Sequence, residues 1–123
     1  MKRVLLDTNA IMAIMELKID PFEQLQQLLD IPFKIYVIQG SITELEQLQG
    51  QGKHKVGRAA KLGLQILRAK NIPILPEEGI VDDILAEHSQ QGDLILTQDI
   101  GLKRRLAKPY LTIRQKKRIM MVP

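Results

Sequence analysis

The stretch Lys2-Arg3-Val4-Leu5-Leu6-Asp7-Thr8-Asn9-Ala10-Ile11 decides the fold. Lys2 to Leu6, with its unbroken apolar run Val4 to Leu6, reads as a strand buried in a sheet. Asp7 ends the run. Beyond it Ile11, Ile14 and Met15 recur at helical spacing. A buried strand that passes straight into a helix is the first half of a βα unit, and such units wind into a parallel sheet.

The same alternation continues outward. Pro21 suits the first position of a second helix, whose apolar residues are Phe22, Leu25, Leu28 and Leu29. Residues 33–38 are rich in β-formers and read as the second strand. Gly40 reads as a break before a helix at 41–49, and Gly50-Gln51-Gly52 as a loop. Residues 53–70 make an amphipathic helix with Val56, Ala59, Ala60, Leu64 and Leu67 inward. A short strand at 72–75, a helix at 79–90, a strand within 93–97 and a helix at 100–107 follow. Pro109 stops that helix, and 110–114 with 118–122 read as an antiparallel edge or hairpin. The expectation is an α/β chain of one domain, residues 1–123: a three-layer α/β/α sandwich around a mainly parallel sheet of about five strands.

Composition narrows the chemistry. There is no cysteine, which excludes disulfides, thiolate metal sites and a cysteine nucleophile, and fits a reducing, cytoplasmic setting. The apolar run near the N-terminus is cut by Asp7 and Asn9, so no export signal is read there. No apolar stretch approaches membrane-span length. His54 lies in a basic run and His88 late in a helix, so the histidines do not make a zinc site. The glycines form no phosphate-cradling loop.

Net charge is +4, and its distribution says more than its size. No acidic residue follows Asp99, whereas that tail carries Lys103, Arg104, Arg105, Lys108, Arg114, Lys116, Lys117 and Arg118. Lys53, Lys55, Arg58 and Lys61 form a second basic group. Basic flanks suit a polyanion, with Lys53, Lys55, Arg58, Lys61, Lys103, Arg104 and Arg105 as candidate RNA contacts. Few aromatics are available for base stacking.

Asp7, Glu44, Asp82 and Asp99 each stand where a helix is expected to start after a strand. Singly, each has a structural explanation. Asp7 and Asp99 are good N-caps. Ser41-Ile42-Thr43-Glu44 fits a capping box, with Glu44 reaching back to Ser41. Asp82 and Asp83 fall in a first turn, where the helix dipole favours negative charge. As a set they are harder to explain that way, because a parallel sheet brings all of these starts to one edge. Crowded carboxylates repel, and a divalent cation taking oxygen ligands, Mg²⁺ or Mn²⁺, relieves the repulsion. Asn9 and Thr97 stand beside two of these acids as candidates for orienting a ligand or water, or for serving a turn, and Asp83 either supports the site from behind Asp82 or is simply exposed.

At these residues the chain resembles a PIN domain. The matching pieces are Val4-Leu5-Leu6-Asp7-Thr8-Asn9, Thr43-Glu44-Leu45, Val81-Asp82-Asp83-Ile84-Leu85 and Leu96-Thr97-Gln98-Asp99, in that order. Thr97 to Leu106 is similar to the fourth motif of the archaeal and ribosome-processing branch, with Ile100-Gly101 where related sequences carry a charged pair. The resemblance implies a parallel sheet flanked by helices, Mg²⁺ or Mn²⁺, RNA phosphodiester cleavage and a homodimer. Some relatives are toxins held by an antitoxin, and others mature ribosomal RNA.

The expected function is therefore a metal-dependent ribonuclease with Asp7, Glu44, Asp82 and Asp99 as catalytic metal ligands. The alternative is an RNA- or protein-binding assembly module with a weak or silent nuclease site, either a ribosome-processing scaffold or an antitoxin-partnered protein. A phosphatase of the haloacid dehalogenase type also begins with a strand-end aspartate. It needs a second aspartate two residues on, where this chain has Asn9.

Overall fold

A computed structural model describes residues 1–51 and 54–123, without the side chain of Gln51. The expected loop residue Gly52 and the candidate RNA contact Lys53 lie outside the described residues. The elements in chain order are β1 (Lys2–Leu6), α1 (Thr8–Leu17), α2 (Pro21–Leu28), β2 (Phe33–Ile38), α3 (Gln39–Gln51) and α4 (His54–Ala69). Then come β3 (Ile74–Leu75), α5 (Val81–Gln90), β4 (Leu94–Leu96), α6 (Ile100–Lys103), β5 (Tyr110–Arg114) and β6 (Arg118–Val122).

The six strands form one sheet in the order β3-β2-β1-β4-β5-β6. The first five run parallel, and β6 closes the edge as the antiparallel arm of a hairpin with β5. Side chains alternate across a strand, so the apolar run of β1 divides between two faces. Val4 and Leu6 join one core with residues of α1 to α4, including Ile11, Ile14, Leu25, Leu45 and Leu64. Leu5 joins the other with Ile84 and Leu85 of α5 and Leu102 of α6. The run Val4 to Leu6 is apolar because helices cover both sides. This is the three-layer sandwich, with one strand more than the sequence count.

The chain leaves β1 toward β2 and β3, then returns to the other side for β4 and β5. The order reverses between β1 and β4. Ligands in open parallel sheets bind at the carboxyl ends of the strands flanking such a reversal. Among the described residues, no helix is long and apolar enough to cross a membrane.

Among the boundaries that differ from the sequence reading are four helix ends. α3 starts at Gln39 directly off β2, so Gly40 sits inside the helix instead of breaking the chain. A Cβ there would stand 2.7 Å from Val81 Cγ2, so glycine serves a close approach between α3 and the start of α5. The same helix runs on through Gly50 and Gln51, where a loop was expected. Glycine lowers helix propensity by only about 1 kcal/mol, which packing against a neighbouring helix outweighs. α5 begins at Val81 and not at 79, because Gly79 holds φ at 134°, far from helical. α6 stops at Lys103, short of 107, because Ser89 Oγ accepts from Ala107 N at 2.8 Å and donates to Ala107 O at 3.3 Å.

His88 is buried at the far end of α5. Its ring nitrogens stand 2.7 Å from Glu77 and 2.9 Å from Asp93. The histidine therefore ties the segment before α5 to the start of β4.

Candidate functional site

Asp7 caps α1 at the end of β1 and is only 3% exposed. Its Oδ1 accepts from Thr8 N at 2.8 Å. Its Oδ2 accepts from Thr97 Oγ1 at 2.7 Å and from Asn9 Nδ2 at 3.0 Å. Burial pushes its carboxyl above the ordinary value of 3.8. The nearby Asp82 charge adds to the rise, while the hydrogen bonds from Thr97, Thr8 and Asn9 oppose it.

Asp99 lies across the reversal point, as the cap of α6 after β4, and accepts from Gly101 N at 3.0 Å. Thr97 and Asn9 lace the two strand ends together. Thr97 Oγ1 accepts from Asp99 N at 3.1 Å while donating to Asp7. Asn9 Oδ1 accepts from Gln98 N at 2.8 Å. The two residues read as orienting groups thus contact Asp7 directly.

Glu44 projects from the second turn of α3 and accepts from the hydroxyl of Thr8. The capping box is absent: Ser41 sits within the helix, fully buried, and its hydroxyl has no partner among the described residues. Asp82 stands half-buried in the first turn of α5. Asp83 beside it is exposed and bonded to Arg105 at 2.7 Å. That pairing engages Asp83 and one candidate RNA contact with each other.

Asp7, Glu44, Asp82 and Asp99 all line a single cleft of about 470 Å³ at the carboxyl edge of the sheet. Thr8, Asn9 and Gln98 complete its polar wall, and Met12, Ala13, Leu48 and Val81 form an apolar one. Asp83 and Thr97 are not among its lining residues. Close contacts between basic and acidic side chains of the described residues join Arg3 to Asp93, His88 to Glu77 and Asp93, and Arg105 to Asp83. None involves the four cleft acids.

Glu16 also lines this cleft and was missed in the sequence. Asn9, Met12, Ala13 and Glu16 share one face of α1 at steps of three and four, so the signal was there once Asn9 was placed at the site. The donor set is all oxygen, anionic and without a lysine or arginine partner among the described residues, which fits a hard divalent cation. As the side chains stand, no three carboxylate or imidazole groups of the described residues close tightly enough to hold an ion.

Lys55, Arg58 and Lys61 are exposed on α4. Arg104 is exposed and Lys103 half-buried at the end of α6. The basic turn between β5 and β6 leaves the sheet by the carboxyl end of β5, the same edge as the cleft.

Gly40 links this geometry to packing. Gly40→Ala is expected to push Val81 and with it the first turn of α5. Overpacking of this kind costs about 1–3 kcal/mol. Denaturant melts should show that loss in Gly40→Ala and its recovery in Gly40→Ala/Val81→Ala. Equal melts for Gly40→Ala and the parent would show that α5 yields freely.

Comparison with known proteins identifies the family and the fold. The family model described as a PIN like domain matches residues 4–116. The structure of the PIN domain endonuclease Utp24 superposes with a TM-score of 0.77 at 26% identity, covering 97% of this chain and 90% of that one. A domain of a functionally unknown protein from Methanocaldococcus jannaschii DSM 2661 superposes with a TM-score of 0.57 at 20% identity, covering 85% and 83%, and shares the fold. No curated protein sequence matches significantly.

Proposed function

The chain belongs to the PIN like domain family, a nuclease fold, and from that premise we propose that it is a Mg²⁺- or Mn²⁺-dependent ribonuclease acting through Asp7, Glu44, Asp82 and Asp99. The observation that carries the reading is the meeting of these acids, from four different elements, in one cleft with no cationic partner among the described residues.

Asp7 is the fixed member, held by its three donors. Asp99 lines the same cleft from the other side of the strand reversal. Glu44 and Asp82 are more exposed and have room to close on an ion. A bound divalent cation supplies the positive charge that acidifies a water and polarises the scissile phosphoryl group. Thr97 and Asn9 keep the Asp7 carboxylate aimed at the cleft. Lys55, Arg58, Lys61, Lys103 and Arg104 hold phosphates on either side of the cut without reading bases. Lys53, outside the described residues, extends the first group, and Arg105 joins by leaving Asp83.

A second reading is favoured by one observation: no three described groups close on a point. On that reading the domain binds RNA or a protein partner with a weak or silent site. Labelled single-stranded RNA incubated with the purified protein separates the two. Cleavage is expected with Mn²⁺ or Mg²⁺ and none with EDTA. Undiminished cleavage after thorough chelation overturns the metal, and binding without cleavage under every metal selects the second reading.

A further inference from the structure

We propose that Gln98 is a positioning residue, whose side-chain amide stands in for the missing backbone of β4 against Ile113 and so fixes the turn that presents Asp99 to the cleft. Only what Asp99 does there rests on the ribonuclease reading.

The argument starts from a gap in the ladder. β4 ends at Leu96, and its last backbone bond to β5 runs from Thr97 N to Leu111 O at 3.1 Å. The chain then leaves the sheet. Gln98 N turns to Asn9 Oδ1, and Asp99 takes a capping conformation with φ −80° and ψ 118°. Alternate residues of a strand present N–H and C=O to the same neighbour. Leu111 faces β4, so Ile113 faces it too, with no β4 backbone left to meet it. Ile113 is 6% exposed, and a buried backbone group left unpaired is costly.

The Gln98 side chain fills the gap. Its Oε1 accepts from Ile113 N at 2.6 Å, and its Nε2 donates to Ile113 O at 3.0 Å. In a parallel ladder these two bonds come from two successive peptide groups of the neighbouring strand, and the primary amide supplies both from one side. They also fix which end of the amide is oxygen, since an N–H needs an acceptor and a C=O a donor. Thr112 Oγ1 adds a third bond to Oε1 at 2.9 Å. The pinned residue lies between Thr97, which donates to Asp7, and Asp99 itself. Asparagine carries the same amide one methylene shorter and does not reach.

The test compares the metal-free parent, Gln98→Asn and a distant destabilised control, Leu25→Ala, by amide hydrogen exchange. Asp99 N–H bonds Thr97 Oγ1, and Lys103 N–H bonds Asp99 O at 3.0 Å. In Gln98→Asn both amides should exchange at least about tenfold faster than in the control, with Leu5 and Leu6 changed no more than in it. The Mn²⁺ dissociation constant should rise about tenfold or more. Faster exchange at Ile113 alone, with Asp99 and Lys103 unchanged, overturns the proposal. If Gln98→Asn does not fold, Thr112→Val removes one bond to the amide and should give a smaller change of the same pattern; no change at Asp99 overturns it equally. A parent that neither binds Mn²⁺ nor cuts RNA sinks the ribonuclease reading, and the exchange pattern still decides for or against Gln98.

Discussion

Asp7→Asn is expected to lower RNA cleavage by at least about a hundredfold, the upper end of what loss of a group one step further from a metal costs. Asp99→Asn should match it, since both acids line the cleft at the strand reversal. The informative comparison is with stability. Asp7 is 3% exposed and its carboxyl is raised above 3.8, chiefly by burial and further by the charge of Asp82. The charged form is therefore disfavoured in the folded protein. A carboxyl whose folded pKa exceeds its unfolded value contributes stability that is present below the unfolded value and lost as pH rises through the folded one. Without metal, the parent should lose stability relative to Asp7→Asn as pH rises from about 4. At neutral pH the variant should melt no lower than the parent. Substitution does disturb the bonds from Thr8, Thr97 and Asn9. A marked loss of melting temperature at neutral pH would mean that those bonds outweigh the buried charge. Asp7 would then be a helix cap first, whose loss typically costs about 1 kcal/mol.

The network around Asp7 explains why the strand-end acids were legible and their neighbours less so. A strand and its capping acid are contiguous, so Val4-Leu5-Leu6-Asp7 carries both in one stretch. The helix spacing after it placed α1, and the apolar runs placed the central strands. Glu44 was legible as a member of the acidic set, but its partner was not. Its local sequence fits a box with Ser41, whereas the structure gives it Thr8 from another helix. Gly40 was misread for the same reason: nothing nearby in sequence announces Val81. The end of α6 depends on Ser89, which claims the backbone of Ala107. Gln98 drew no reading of its own from the sequence, because its role depends on how far β5 extends. Propensity sees neighbours along the chain, and each of these outcomes was set by a residue from a different element.

RNA affinity is expected to fall about a hundredfold between 50 and 200 mM salt. Lys55, Arg58, Lys61, Lys103 and Arg104 are the described candidates for phosphate contact, and for single strands the slope of log affinity against log salt is about −0.7 per phosphate, or about −3.5 for five contacts. Sequence preference should be weak, because the chain has only two tyrosines and two phenylalanines to stack on bases. Lys103→Ala/Arg104→Ala should flatten the slope by about 1.4 and weaken different RNAs alike. Adding Arg105→Ala should change it by less than a full contact, since Arg105 starts paired with Asp83 at 2.7 Å. Both partners are exposed, and such a pair is weak enough for a phosphate to displace it. Filter binding or fluorescence anisotropy across a salt series reads all of this. If the triple variant keeps the parent's slope and changes its oligomeric mass, the α6 tail serves assembly. The RNA then follows the face of α4 that carries Lys55, Arg58 and Lys61.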